Sequence, residues 1–190
     1  MGNSGPTGPA SAILAPVTVA IAGCSALAAL AAVWRLGGTW ALVPFLGLVV
    51  VGAALAWIDL TQRRLPNRIV PPAIAASVPL LLAAALLDGA VSRGLTALAG
   101  GSVLFLFYLL LAVVSPRGMG MGDVKLAALV GLFAGYLGWA ALLVAAFAGF
   151  LAGGAAAMVV IATGRGTRGS AIPFGPWMLV GLWAAVAVSG

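Results

Sequence analysis

The chain has 190 residues, of which 64% are hydrophobic and 6% are charged, and its mean hydropathy is +1.23. So few charges cannot cover the surface of a water-soluble domain, so the composition excludes that class and predicts a polytopic membrane protein. The net charge is +6, but the basic residues lie between apolar runs, so they indicate membrane topology and contacts with anionic lipid rather than nucleic-acid binding.

Seven apolar segments are predicted to be membrane helices, because a helix needs about 20 apolar residues to cross the hydrocarbon core. In chain order they are 12–34, 40–58, 69–87, 95–114, 124–138, 140–162 and 173–189. The fifth is short and rich in Gly, so we expect it to tilt or to lie lower in the membrane. The short connections predict an all-α, antiparallel transmembrane helix bundle of about seven spans, with a flexible tail at 1–11 and one domain at 12–189.

The basic residues predict the orientation of the bundle. One set of connections holds Arg63, Arg64, Arg68, Arg117, Lys125, Arg165 and Arg168, and the other set holds Arg35 and Arg93. Because positive charge is enriched in cytoplasmic loops, the first set is predicted to face the cytoplasm.

The chain has few residues that could bind a metal or act as a thiol nucleophile. Histidine is absent, and the single cysteine, Cys24, lies inside an apolar run. This excludes an intrachain disulfide and most zinc, haem and Ser-His-Asp chemistry, so we expect no metal and no cofactor.

The three acids are Asp59, Asp88 and Asp123. Asp88 precedes Gly in a turn-like stretch, which indicates a structural role. Asp59 ends an apolar run and is either a functional acid or an interfacial partner of Arg63 at i+4. Asp123 starts the fifth helix and is either functional or an N-cap.

Asp59 and Asp123 are both predicted at the cytoplasmic ends of helices, where a compact bundle can bring them together. Two neighbouring carboxylates cannot both ionise cheaply, so they share a proton, and such a pair can activate water against a peptide carbonyl. Glycines at 118, 120 and 122 leave space beside Asp123 for an extended substrate backbone.

These residues resemble the prepilin peptidases, the GxGD-type aspartic membrane enzymes of type IV pilus systems. The resemblance covers roughly residues 45 to 189 and rests on three stretches, "DLTQRRLPN", "GMGDVKL" and "IPFGPWM". The residues that match the family pattern are Asp59, Pro66, Asn67, Gly120, Gly122, Asp123, Lys125, Leu126, Pro173, Gly175 and Pro176.

The resemblance implies that Asp59 and Asp123 are the catalytic pair of a six-span peptidase core preceded by one N-terminal helix. It also implies type IV pilin or pseudopilin precursors as substrates, cut at the cytoplasmic face of the bacterial inner membrane. The precursor's apolar helix would then lie in a groove lined by small residues. Lys125 would hold a substrate carboxylate or adjust Asp123, although extension to the membrane interface is the commoner role of such a lysine.

One departure from the family concerns methylation. Larger members carry an insertion with paired CxxC motifs and also methylate the new pilin N-terminus, whereas "WRLGGTW" alone separates the first two predicted helices here. The chain therefore resembles the short form associated with Flp/Tad-type pili or archaeal-style systems, and methyltransferase activity is not expected. Two alternatives remain open: another GxGD peptidase, or a small transporter or assembly protein, whose acids would more often lie mid-helix.

Overall fold

The computed structural model describes residues 9–115, 119–164 and 173–189, with side chains from residue 15 onward. Within these residues the chain forms seven α-helices and no strand. They are α1 (Pro9–Leu36), α2 (Leu42–Gln62), α3 (Val70–Leu87), α4 (Val91–Val114), α5 (Met121–Leu137), α6 (Trp139–Ala162) and α7 (Gly175–Val188). The predicted all-α bundle is confirmed.

Among the described residues, five helices are long and apolar enough to cross a membrane: α1 from Ala15, α2, α3, α4 and α6. Helix α7 is also apolar but has 14 residues, and α5 has 17. The protein is therefore a multi-pass membrane protein in which two shorter helices lie among five longer ones.

Several helix ends differ from the predicted bounds, because helices continue across polar residues where hydropathy falls. Helix α1 starts at Pro9 instead of residue 12, α4 starts at Val91 instead of 95, and α5 starts at Met121 instead of 124. Helix α7 starts two residues late, at Gly175.

The end of α2 has the largest consequence for the acids. This helix runs four residues past the predicted end at 58, so Asp59 lies within its last turn instead of just beyond it. Arg63 then stops the helix: it adopts the left-handed conformation (φ 52°), and its N–H bonds the Asp59 carbonyl at 2.8 Å.

Helix α5 is the central helix of the bundle, which the sequence did not predict. Most of its side chains are buried, and it packs against α3, α4, α6 and α7. Its contact with α4 is closest, since a Cβ on Gly131 would collide with the backbone at Gly100 and Gly101. Small residues therefore let the two backbones touch, as expected for helices packed in lipid.

The connections gather at two ends of the bundle. The Asp59 end comprises residues 59–69, 119–125 and 173–176, and the Asp88 end comprises residues 36–41, 88–90 and 136–138. Arg63, Arg64, Arg68 and Lys125 belong to the Asp59 end, whereas Arg35 and Arg93 lie on the helical turns next to the Asp88 end. Gly118 and three residues of the predicted cytoplasmic set, Arg117, Arg165 and Arg168, lie outside the described residues.

Candidate active site

Asp59 is buried in the last turn of α2, where its carboxylate faces the start of α7. It is 4% exposed, and its Oδ2 accepts the backbone N–H of Gly175 at 3.1 Å. Asp59 makes no ion pair with Arg63 in the described residues, so the alternative role of Asp59 as an interfacial partner of Arg63 is wrong. The acid is instead held by a backbone donor in the first turn of α7, where the helix dipole favours a negative charge.

Asp123 closes the first turn of α5. Gly120 is the N-cap residue, and Asp123 occupies the third helical position rather than the N-cap. Its Oδ2 accepts the Gly120 N–H at 3.2 Å, and its own N–H donates to the Gly120 carbonyl at 3.0 Å. The Asp123 side chain thus makes the return bond of a capping box, while the glycine at the N-cap has no side chain to make the other one, and this bond holds the carboxylate at the helix start.

The two acids are close enough to affect each other's ionisation. Asp123 precedes the apolar run of α5, and its pKa is raised to about 6, first by burial and then by the negative charge of Asp59, against a smaller opposite effect of the Gly120 N–H. The packing at Gly175 also places Asp59 close to the first turns of α5, which carry Asp123. A Cβ on Gly175 would lie 2.8 Å from Asp59 Oδ2 and 3.3 Å from Leu126, one turn after Asp123.

The loop after α2 is attached to the start of α5 at two points. Lys125 Nζ donates to Asn67 Oδ1 at 2.8 Å, and Leu65 fills the space beside Gly122, where a Cβ would be 2.8 Å from the Leu65 Cβ. The space at Gly122 is therefore taken by the protein's own side chain, which corrects the expectation that this glycine leaves room for substrate. Gly120 remains exposed.

The remaining residues singled out in the sequence have less direct contacts. The Pro66 carbonyl accepts the N–H of Ile69 at 3.0 Å and so starts the turn into α3. Pro173 is half-buried just before α7, and Pro176 lines an apolar groove described below.

Two aromatic residues near the acids were missed in the sequence. Phe174, between Pro173 and Gly175, packs its ring on Phe150 at a centroid distance of 5.4 Å and on Tyr108 at 6.2 Å. Phe174 lies inside the stretch "IPFGPWM", so the sequence offered a signal for it. Tyr108 lies in an apolar run of α4, and no sequence signal relates it to the acids.

An apolar groove of about 240 Å³ lies between α1, α2 and α7. Small residues such as Gly52, Ala53 and Ala56 form its α2 side, and Trp177 and Trp183 form part of its α7 side. One end of the groove is formed by Leu60 and Pro176, which directly follow Asp59 and Gly175 in the chain. The groove therefore ends beside Asp59 and runs along the lipid-spanning part of α2.

The third acid, Asp88, lies at the opposite end of the bundle. Its Oδ1 accepts the backbone N–H of Trp40 at 2.9 Å, and its Oδ2 accepts the Tyr136 hydroxyl at 3.5 Å. Asp88 thus connects the α1–α2 and α3–α4 connections with the end of α5, which is a wider structural role than the local turn that the sequence indicated.

Comparison with known proteins identifies the family. A model of the type IV leader peptidase family matches residues 45–158, which include both Asp59 and Asp123. The chain belongs to this family. The resemblance drawn from the three motifs is confirmed.

Curated relatives carry the name prepilin leader peptidase/N-methyltransferase. The protein from Aeromonas hydrophila is 32% identical over 169 residues, covering 85% of this chain and 55% of the relative. The one from Pseudomonas putida is 31% identical over 173 residues, covering 86% and 56%. The chain therefore spans about half the length of the curated relatives it matches. No solved structure matches it significantly.

Proposed function

We propose that this protein is an aspartic endopeptidase that removes the basic leader from type IV pilin or pseudopilin precursors of the Flp/Tad-like kind. Asp59 and Asp123 are its catalytic pair, within a single membrane-embedded peptidase domain at 12–189. The observation that carries the proposal is that two acids 64 positions apart, on helices α2 and α5, are near enough for Asp59 to raise the pKa of Asp123.

The proposed reaction needs no group beyond the two carboxyls and water. At one proton per pair, the ionised carboxylate takes a proton from water, and the resulting hydroxide attacks the scissile carbonyl carbon. The protonated carboxyl donates its hydrogen bond to the carbonyl oxygen as charge develops there. Collapse of the tetrahedral intermediate breaks the C–N bond, and the leaving amine takes up a proton from the pair.

The supporting residues position the two acids. Gly175 supplies the N–H that orients Asp59, and Gly120 supplies the N–H that orients Asp123. Gly122, Lys125, Pro66 and Asn67 act indirectly, because their contacts join the loop after α2 to the start of α5. Pro173 and Pro176 flank the α7 start that carries Gly175.

The proposed location of cleavage is the cytoplasmic face of the bacterial inner membrane. The Asp59 end carries Arg63, Arg64, Arg68 and Lys125, and positive charge next to membrane helices favours the cytoplasmic side. A leader rich in basic residues would stay on that side while the following apolar helix remained in lipid.

The groove between α1, α2 and α7 is the proposed site for the apolar helix of the precursor. Its walls are apolar, its α2 side has small residues that allow close helix packing, and its end is formed by the residues that follow Asp59 and Gly175. Cys24, the single cysteine of the chain, lines this groove and offers a specific attachment point. A photocrosslinker on Cys24 should capture the apolar helix of a bound precursor, and capture of lipid alone would contradict this placement.

The decisive experiment is co-expression with a type IV pilin precursor from the source organism. The wild-type chain should yield the shortened pilin, and Asp59→Asn and Asp123→Asn should each reduce processing at least about a hundredfold, because each removes an ionisable group of the pair. Asp88→Asn is the matched control and should process normally. Normal cleavage by either variant of the pair would refute the site.

The main rival is a small transporter or assembly protein that uses its acids to carry protons or ions. The helix-end positions of Asp59 and Asp123 favour the peptidase, because transport acids more often lie mid-helix. Cleavage by purified protein in detergent micelles, where no proton gradient exists, would exclude the transporter. The proposal covers leader removal alone and does not extend the methyltransferase part of the relatives' name to this chain.

A further inference from the structure

Tyr108 on α4 is a buried polar side chain that the mechanism above does not use. It is 1% exposed, and its ring stacks on Phe150 of α6 at a centroid distance of 5.5 Å and packs against Phe174 at 6.2 Å. Phe174 directly precedes Gly175, whose N–H binds Asp59. These ring contacts hold Tyr108 next to the segment that orients one of the two acids.

The packing of α4 against α5 places Tyr108 level with Asp123. The two helices are antiparallel, so each step of four residues along α4 matches a step of four residues back along α5. The contacts that define this register are Thr96 with Gly135 and Gly100 with Gly131. Two further steps bring Tyr108 opposite Asp123, and the two side chains interact electrostatically.

The Tyr108 hydroxyl is available as a donor. It makes no hydrogen bond with any described residue. It also does not belong to the fully buried side-chain atoms that lack a partner, a group that contains only Arg35 Nε among the described residues. A phenol stays protonated around neutral pH, so it can donate to an ionised carboxylate.

We propose that Tyr108 is a positioning residue of the acid pair: its hydroxyl donates a hydrogen bond to the Asp123 carboxylate as the site closes on substrate, and holds that carboxylate toward Asp59. This inference rests on the proposed function. The bond forms on closure because hydrogen bonds at catalytic sites are often long in the free enzyme and tighten around the bound substrate. Tyr108 acts through Asp123 and does not itself contact the scissile bond.

None of the described groups around Asp123 is a side-chain hydrogen-bond donor to its carboxylate. Helix α2 presents Asp59, α5 presents the Gly120 N–H, and Lys125 on the same helix is bound to Asn67. Within the described part of the chain, no basic side chain hydrogen-bonds or ion-pairs with Asp123. Among the described residues, a donor from α4 would therefore be the side-chain group that stabilises the ionised form of Asp123.

The test is Tyr108→Phe, which keeps the ring contacts and removes only the hydroxyl. We expect kcat to fall about tenfold and the alkaline limb of the pH–rate profile, where Asp123 ionises, to move to higher pH by about one unit, because the ionised carboxylate loses a donor. The control is Tyr136→Phe, which removes the same hydroxyl at the Asp88 end and should leave kcat and the profile unchanged.

The outcomes separate this inference from the proposed function. If the wild-type chain cleaves the precursor and Tyr108→Phe shows an unchanged kcat and pH profile, Tyr108 has only a packing role and the inference fails alone. If the wild-type chain does not cleave, the proposed function fails and the inference fails with it. A shifted profile in Tyr108→Phe with an unshifted one in Tyr136→Phe supports the inference, since lost packing would not move the profile.

Discussion

The two ends of the bundle use their acids in opposite ways. At the Asp88 end, both carboxylate oxygens accept hydrogen bonds from other parts of the chain, the Trp40 N–H and the Tyr136 hydroxyl, and no second acid is near. At the Asp59 end, two acids lie together, and among the described residues each accepts a single hydrogen bond, from a backbone N–H. A carboxylate that accepts hydrogen bonds on both oxygens joins segments of the chain, whereas two neighbouring acids with a shifted pKa are typical of catalysis.

Among variants that keep all three acids, the largest expected effect comes from adding one methyl group at the Asp59 end. In Gly175→Ala the new Cβ would lie 2.8 Å from Asp59 Oδ2, so the carboxylate must move although its backbone donor remains. Because a displacement of about 1 Å at a catalytic group costs about a hundredfold in rate, we expect cleavage to fall by that factor. The measurement is the rate of leader removal in detergent micelles.

The control for this substitution is Gly154→Ala on α6. A Cβ there has no atom within 4 Å, so cleavage should stay at the wild-type rate. An active Gly175→Ala enzyme would show that the close contact between Gly175 and Asp59 is not needed for the reaction.

The coupling between the two acids should be visible as a change in proton affinity. Removing the charge in Asp59→Asn should lower the pKa of Asp123 by about one unit, because a neighbouring negative charge no longer opposes ionisation. The chain has three Asp and no Glu, so ¹³C-labelled aspartate gives three carboxyl signals that NMR can follow during titration.

Asp88→Asn is the matched variant for this titration and should leave the pKa of Asp123 unchanged. An unchanged pKa in Asp59→Asn would contradict the closeness of the pair. The same coupling predicts that wild-type cleavage declines as pH rises through about 6, because the pair then loses its shared proton.

The smallest expected effect belongs to the Asp88 end. Asp88→Asn keeps an oxygen for the Trp40 N–H, so we expect a stability change below about 0.5 kcal/mol, whereas Asp88→Ala loses both bonds and should cost about 1–2 kcal/mol. Thermal unfolding in detergent measures both. Cleavage per folded molecule should be unchanged in each variant, and a loss of cleavage would mean that the two ends are coupled through α5.

The sequence alone determined the membrane class, the seven helices and the family, because hydropathy, helix length and short motifs are properties of neighbouring residues. It also selected Asp59 and Asp123 as the acids of interest, although their catalytic role stays a prediction. The helix bounds were less accurate: Asp59 was placed just past α2, whereas the left-handed Arg63 ends that helix one turn later.

Only the tertiary structure decided which helix lies at the centre, which side chain fills the space at Gly122, and which donor holds Asp59. The same is true of Tyr108, whose position opposite Asp123 depends on the register of α4 against α5. Apolar helices in lipid have nearly uniform surfaces, so hydropathy does not encode how they pair. The close contacts of small residues set that pairing, and those contacts join residues far apart in the chain.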